Sequence, residues 1–326
     1  MKIAFYSPHL SLGGTEITMY DFADYNEKIL GNESIIIYNK DNPLTHKSVI
    51  EKFKVRFNKV YCLEGPDYNW SWKSDVTVPL LDSVIEKEHC DGLYMQKFGN
   101  NDGVVSKKCK TYILCAAGVC EPHGDVYAYV SEWLSKQACG GKYPAVPSMI
   151  TPLPSTEETF RKELNIPENA MVFGRHGGTY GWDIPWTNEV IKHVVENHNI
   201  YFIFQNTPIP FTHEKVKHIE PSADLQIKSK FINTCNGMIH SRSIGESFGC
   251  ACGEFSSMNK RIITFSNCSD RNHITLLGEK GLYYTSPEEL YNHLVNFTYE
   301  PEKDWNGYKD YNPERIMGIF NEVFLK

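Results

Sequence analysis

What this chain of 326 residues lacks narrows its function before any motif is read. No stretch approaches the roughly 18 consecutive apolar residues of a membrane-spanning helix. The opening residues, Met1 to Tyr6, carry no cationic leader followed by a long apolar run, so no signal peptide is expected. Basic charge is in deficit: 33 Lys and Arg against 40 Asp and Glu leave a net charge of −7. That balance disfavours a nucleic-acid binder, which needs a basic surface against phosphate, and supplies no polybasic patch for a membrane. Ten cysteines are present, none in Cys-x-x-Cys spacing and none with partners at zinc-finger spacing. Cys250 and Cys252 therefore read as small packing residues. The expectation is reduced thiols in a cytoplasmic protein, not a disulfide framework. A Gly-x-Gly-x-x-Gly run is missing after the first apolar strand, which argues against a dinucleotide site. Fixed-period repeats and low-complexity tracts are missing too.

What is present suits two α/β domains, since the chain exceeds the usual size of one core. Aromatic residues are plentiful, with 19 Tyr and 6 Trp. They read first as core, although the same side chains can line a carbohydrate groove. Strands are expected over 2–7, 34–38, 60–63, 92–96, 112–115 and 126–130. A glycine-containing loop, 8–14, follows the first strand, and Thr15 is expected to cap the helix after it. Ser131 with Glu132 behind it marks another helix start. The Gly- and Pro-rich stretch 140–154 reads as a linker. Beyond it the alternation resumes, with helices expected over 159–164, 187–196, 224–234, 248–258 and 287–296 and strands over 171–174, 201–204, 237–240 and 261–265. Strands alternating with helices call for parallel sheets. Asn312, Pro313 and Glu314 give a cap, a first-turn proline and a first-turn acid, and Ile316, Ile319, Phe320, Val323 and Phe324 recur at helical spacing. The tail should dock as a helix.

The segment richest in chemistry runs from Met238 to Phe265: a strand, a polar turn, a helix and a second strand. Glu246 and Glu254 stand eight positions apart within it. On a continuous helix they would lie about 12 Å apart and within about a quarter turn of each other. Carboxylates suit sugar diols because they accept two hydrogen bonds. Ser247, Phe248 and Gly249 fall at the helix start, where backbone N–H groups and the helix dipole favour phosphate. In isolation the two glutamates read as a solvated helix face.

The surrounding residues shift that balance. Glu246-Ser247-Phe248-Gly249, then Gly253-Glu254-Phe255 and Asn259 to Thr264, resemble the donor-site motif of family 4 GT-B glycosyltransferases, with their Glu-x7-Glu pair. Three weaker likenesses follow in the same order: Gly13-Gly14-Thr15-Glu16 to the family's N-terminal glycine loop, Phe173-Gly174-Arg175 to its strand-end arginine, and Val130-Ser131-Glu132 to a strand-to-helix step. The resemblance implies two Rossmann-like domains facing a cleft: an acceptor-side domain over 1–150, a nucleotide-sugar domain over 151–310, and a final helix, 311–326, packed back on the first. It implies a retaining transfer from a nucleoside-diphosphate sugar, UDP- or GDP-linked, to a glycan or lipid-linked acceptor, with membrane contact at most peripheral. Glu254 would hold the ribose and Glu246 the hexosyl ring. The amides of Ser247, Phe248 and Gly249 would bind phosphate and sugar, Arg175 would neutralise the diphosphate, and Gly13 and Gly14 would let the first loop approach it. His123 is the match for the family's first-domain histidine. The lysine that the family places shortly after its arginine is missing from 176–183, so help would fall to Arg242 or Lys260. The developing charge of the leaving group needs either a divalent ion held by Asp-x-Asp, which the chain lacks, or arginine and a helix N-terminus, which it has, so neither metal nor cofactor is expected. A sugar-nucleotide epimerase and a non-catalytic sugar-nucleotide or glycan binder are the other readings.

Overall fold

The computed structural model describes residues 1–40, 42–65, 73–178, 180–209 and 211–326. These form two compact units, Met1–Met149 with Tyr311–Lys326, and Ile150–Asp310.

The first unit runs β1 (Lys2–Ser7), α1 (Gly14–Lys28), β2 (Glu33–Asn39), α2 (Lys47–Arg56), β3 (Val60–Leu63), α3 (Ser74–Glu88), β4 (Gly92–Lys97), β5 (Lys110–Cys115), β6 (Val126–Tyr129) and α4 (Glu132–Cys139). Its six strands pair in parallel in the order β3-β2-β1-β4-β5-β6. Ile35, Ile36 and Ile37 are all fully buried, as strands covered on both faces require. The helix expected after the first loop starts one residue before Thr15. Gly13 is its N-cap, and no side chain caps it.

The second unit runs β7 (Met171–His176), α5 (Pro185–Asn197), β8 (Ile200–Gln205), β9 (Val216–Ile219), α6 (Leu225–Thr234), β10 (Gly237–His240), β11 (Gly245–Glu246), α7 (Cys250–Ser257), β12 (Arg261–Phe265), β13 (Asp270–Arg271), α8 (Asn272–Leu277), β14 (Leu282–Tyr284) and α9 (Pro287–Val295). Its main sheet, β14-β12-β10-β7-β8-β9, repeats the first unit's order, and β11 pairs with β13 beside it. The core packs Phe173, Phe202, Phe204, Ile239 and Ile263 against Val190, Ile191, Val194 and Val195 of α5 and Leu290 and Leu294 of α9. The helix expected over 159–164 is a single turn instead. Leu164 N–H reaches the Phe160 carbonyl at 2.9 Å, then Asn165 swings to φ 53° and Pro167 blocks further extension.

The last helix, α10 (Pro313–Phe320), continues into a π-helical turn, Asn321–Leu325, and belongs to the first unit. Asn312 caps it by accepting from Arg315 N–H at 3.0 Å. Phe320 stacks on Phe22 at 5.1 Å, and Phe324 meets Tyr94 and Tyr112 at 5.9 and 5.6 Å. This aromatic contact fixes the tail by burial, as its apolar stripe requires.

The expectation of thiols alone is corrected at one place. Cys120, in the loop after β5, forms a disulfide with Cys139 at the end of α4, their Cα atoms 5.7 Å apart. The pair is 19 residues apart in sequence. The fold, not a short spacing, brings it together. The other eight cysteines are free. Among the described residues no helix is long and apolar enough to cross a membrane.

Candidate functional site

In a parallel sheet, ligands gather at the carboxyl ends of the strands. At that edge of the second unit the structure collects Arg175 and His176 from the end of β7, His240 from the end of β10, Glu246 from β11, Glu254 from α7 and Lys228 from α6.

Arg175 is enclosed, with 2% of its surface exposed. Its Nη2 donates to the Gly181 carbonyl at 2.7 Å, while Nε finds no hydrogen-bond partner among the described residues. The loop after β7 closes on the guanidinium only because it is glycine-rich. A Cβ on Gly181 would stand 2.5 Å from Nη2, and one on Gly177 3.1 Å from it. Burial pulls the guanidinium's pKa down, and the charge of Glu246 pulls it back up. A buried cation with one neutral acceptor is an expensive feature unless an anion completes it.

Glu246 is bound at both oxygens. Oε1 lies 3.0 Å from His240 Nε2 and Oε2 is 2.8 Å from Arg242 Nη1. Burial alone would raise this carboxyl, but His240, Arg242 and Arg175 outweigh it and hold it well below the usual carboxylate range. The tautomer of His240 follows. Facing an ionised carboxylate, Nε2 must carry the proton. Burial keeps the ring neutral, so Nδ1 accepts from Thr264 Oγ1 at 2.8 Å. Thr264 Oγ1 in turn accepts from His273 Nε2 at 3.1 Å. Glu246 thus ends a buried relay of two imidazoles and a hydroxyl.

Glu254 is held differently. Oε1 takes Lys228 Nζ at 2.6 Å and Oε2 lies 2.9 Å from His176 Nε2. Burial raises this carboxyl too, yet Lys228 and His176 bring it down to about 2. The His176 ring is fixed by stacking on Phe255, with centroids 5.6 Å apart and planes at 18°.

Between the glutamates, α7 opens at Gly249, whose φ of 91° is left-handed and which has no side-chain cap to offer. A Cβ there would also press on Tyr308 Oη at 3.0 Å and His273 Cβ at 3.1 Å, so glycine is required twice. The helical separation expected for the two glutamates does not apply, because Glu246 sits in β11 and the helix begins only at Cys250. The Phe248 ring is not available at this edge: it is buried edge-on against Tyr308 at 5.6 Å. Ser247 adjoins it, in the connection from β11 to α7. Lys260 does not join the cluster. It precedes the first residue of β12, at the amino end of a parallel sheet, and lies over the Tyr299 ring at 5.3 Å.

The first unit has its own polar edge. Gly13 approaches Ser11 and Glu16 closely, whereas a Cβ on Gly14 would meet nothing within 4 Å. Glu16 is buried, accepts from Ser11 Oγ at 2.5 Å and Ser7 Oγ at 3.3 Å, and lies 3.3 Å from His9 Nε2. Burial lifts its carboxyl to about 7, the two serines partly offsetting the rise. His123 is engaged at both ring nitrogens: Nδ1 donates to the Glu121 carbonyl at 2.8 Å, and Nε2 faces Lys97 Nζ at 3.3 Å. Lys97 is itself tied to Asp102 at 2.6 Å.

Sequence reasoning missed His176, His240, Lys228 and Glu16 as site residues. The two histidines carried a usable signal, since each is the last residue of a strand ending at the ligand edge. Lys228 carried none, being one of two lysines on α6 until Glu254 is seen beside it.

No protein-family model and no curated protein matches this sequence. Solved structures do resemble it. The Anabaena protein HepE in complex with UDP-glucose is similar with a TM-score of 0.69 at 12% identity, over 99% of this chain and 95% of that one. A glycosyltransferase from Rickettsia africae gives 0.70 at 12% identity, over 99% and 98%. The UDP-GlcNAc 2-epimerase from Neisseria meningitidis bound to UDP-GlcNAc gives 0.65 at 14%, over all of both chains. At such identities the likeness establishes the fold: this chain has the GT-B fold, α/β with two parallel six-stranded sheets.

Proposed function

We propose that this chain is a glycosyltransferase that takes a sugar from a nucleoside-diphosphate sugar, with the donor bound at the carboxyl edge of the second unit's sheet. The observation that carries the proposal is Arg175: a buried, nearly unpartnered guanidinium within the field of the ionised Glu246 and of α7, the helix that opens on glycine. Arg175 and the α7 N-terminus stabilise the diphosphate as it departs, in the role a metal has elsewhere. Glu254 accepts the ribose hydroxyls, and Glu246 accepts hydroxyls of the transferred sugar. The amides of Ser247, Phe248 and Gly249 face phosphate, and Arg242, held by Glu246, adds a second cation. The open space at Gly14 suits the acceptor-side loop. His123 serves there through Lys97, because its own nitrogens are occupied. The transfer proceeds with retention and without metal or cofactor, to a glycan or lipid-linked acceptor in the cytoplasm. Support comes from the site chemistry and from proteins of the same fold crystallised with UDP-glucose and with UDP.

The epimerase reading also has support, because UDP-GlcNAc 2-epimerases share the fold over essentially the full chain. The two part on one measurement. Incubated with UDP- and GDP-sugars in EDTA without acceptor, an epimerase changes the sugar and a transferase does not. A thermal-shift screen of UDP, GDP, ADP, dTDP and CMP in EDTA comes first. Stabilisation by one diphosphate supports the donor site. A flat response to all of them rules it out.

A further inference from the structure

Glu254 is over-determined for a residue whose task is to meet two hydroxyl groups. A carboxylate offers about four lone-pair directions. Lys228 Nζ donates to Oε1, while His176 Nε2 lies 2.9 Å from Oε2 without hydrogen-bond geometry, so each oxygen keeps an acceptor direction. A vicinal diol needs one acceptor on each oxygen. The arrangement therefore fixes the carboxylate plane while keeping the bidentate surface that a diol reads.

The two partners are not equivalent. His176 is buried, stacked on Phe255 and edge-on to Phe231 at 5.9 Å, and burial keeps its ring neutral, so it orients but does not compensate charge. Lys228 supplies the positive charge, and both it and Glu254 are nearly buried, with side chains 9% and 11% exposed. Without that ammonium the buried carboxyl would take up a proton, and one of its two acceptors would become a donor. Lys228 comes from α6, and it reaches this edge only because α6 starts where Asp224 caps it, accepting from Gln226 N–H at 2.8 Å. A structural ion pair alone explains this poorly, because a buried pair adds little stability over apolar side chains of the same size.

We propose that Lys228 is a positioning residue for nucleotide recognition: it holds Glu254 ionised and in plane for the 2′- and 3′-hydroxyls of a ribose, and so makes this site select ribonucleotides over 2′-deoxyribonucleotides. The proposal rests on the donor-site reading given above. It also places the lysine that the segment after Arg175 lacks on a different element and in a different role, acting on the ribose carboxylate and not on the diphosphate.

The test is calorimetric binding of UDP and 2′-deoxy-UDP, and of GDP and 2′-deoxy-GDP, to the full chain, with folding checked by circular dichroism. The wild type should favour the ribo form of its base by about tenfold to a hundredfold, the worth of a hydrogen bond to a charged acceptor. Lys228→Met should shrink that preference to within about twofold, and Lys228→Arg should restore most of it. If Lys228→Met fails to fold around an uncompensated carboxylate, Lys228→Gln keeps a donor for Glu254 without the charge and should show the same collapse. Undiminished discrimination in these neutral variants overturns the role of Lys228. An equal loss of ribo and deoxy forms overturns it too, by placing the lysine on the phosphates. A wild type that binds neither base, or binds both sugar forms alike, overturns the donor-site reading and this proposal with it.

Discussion

The two units repeat one sheet order and fill their ligand edges in opposite ways. The second unit sets fixed charges there: Glu246 and Glu254 each hold cationic or imidazole partners at both oxygens and stay ionised far into acid. The first unit's buried acid, Glu16, has two serines and a histidine whose own pKa burial depresses, and it titrates near neutrality. The contrast teaches that the shared topology supplies only the edge. Whether the edge presents permanent charge or a transferable proton is decided by the few side chains that the loops bring to it. Permanent charge suits a doubly charged leaving group, and a titratable carboxyl suits proton exchange with a hydroxyl.

The largest expected effect breaks the second unit's side of the comparison. Arg175→Met removes a buried cation whose hydrogen bonding among the described residues is to the Gly181 carbonyl, with Nε left without a partner. Nucleoside-diphosphate affinity should fall by about a hundredfold or more, the value of a charge-assisted contact in a desolvated site. The unliganded protein should be unharmed or gain about 1 kcal/mol, because an apolar side chain replaces a desolvated charge. Calorimetric binding and urea denaturation check the two halves, and a destabilised Met variant would mean that Arg175 is structural.

The next effect contrasts how pH acts on each edge. Glu254 is depressed to about 2 from the ordinary 4.5 of a glutamate, so its contribution is complete above about pH 4.5 and drains away as pH falls toward 2. Glu16 behaves in reverse. Its folded value is raised to about 7 from 4.5, so between those limits the unfolded chain has lost its proton while the folded chain keeps it, and stability falls as pH rises. Glu16→Gln keeps an acceptor for Ser11 and Ser7 but cannot ionise. It should match the wild type at pH 4 and exceed it at pH 8 by about 2 to 3 kcal/mol. Denaturation midpoints across that range decide it, and a difference independent of pH would refute the raised carboxyl.

Much of this contrast was legible in the sequence on one side only. The strands were readable because parallel strands are apolar throughout, as in Ile35 to Ile37, and the tail helix because its cap and stripe agree. Arg175, Glu246 and Glu254 stood out through a motif likeness. The partners that set their chemistry did not, because Lys228, His176, His240 and Thr264 act through contacts made only when separate strands and helices meet. The short helix expected over 159–164 failed for a local reason, a left-handed Asn165 ahead of Pro167. The Cys120–Cys139 pair escaped notice because its spacing reflects tertiary structure.

The smallest effect sharpens the comparison by separating helix starts that hold the fold from those placed at ligand edges. Ser131 caps α4 by accepting from Leu134 N–H at 3.1 Å, and Asp224, Ser286 and Asn312 cap α6, α9 and α10 in the same way. The helices that follow the two candidate loops, α1 and α7, start on glycine, at Gly13 and Gly249, with no side-chain cap; α3, α5 and α8 also lack a side-chain cap but start on Lys73, Ile184 and Arg271. A side chain that satisfies a first-turn N–H competes with an anion for it, so leaving a start uncapped serves a ligand at some cost to the helix. Ser131→Ala should therefore cost about 1 kcal/mol of stability and leave nucleotide affinity unchanged. Urea denaturation and calorimetric binding on one preparation test both claims. A Ser131→Ala variant that folds normally but binds nucleotide more weakly would place α4 in the donor site and dissolve the division between capped and uncapped helices.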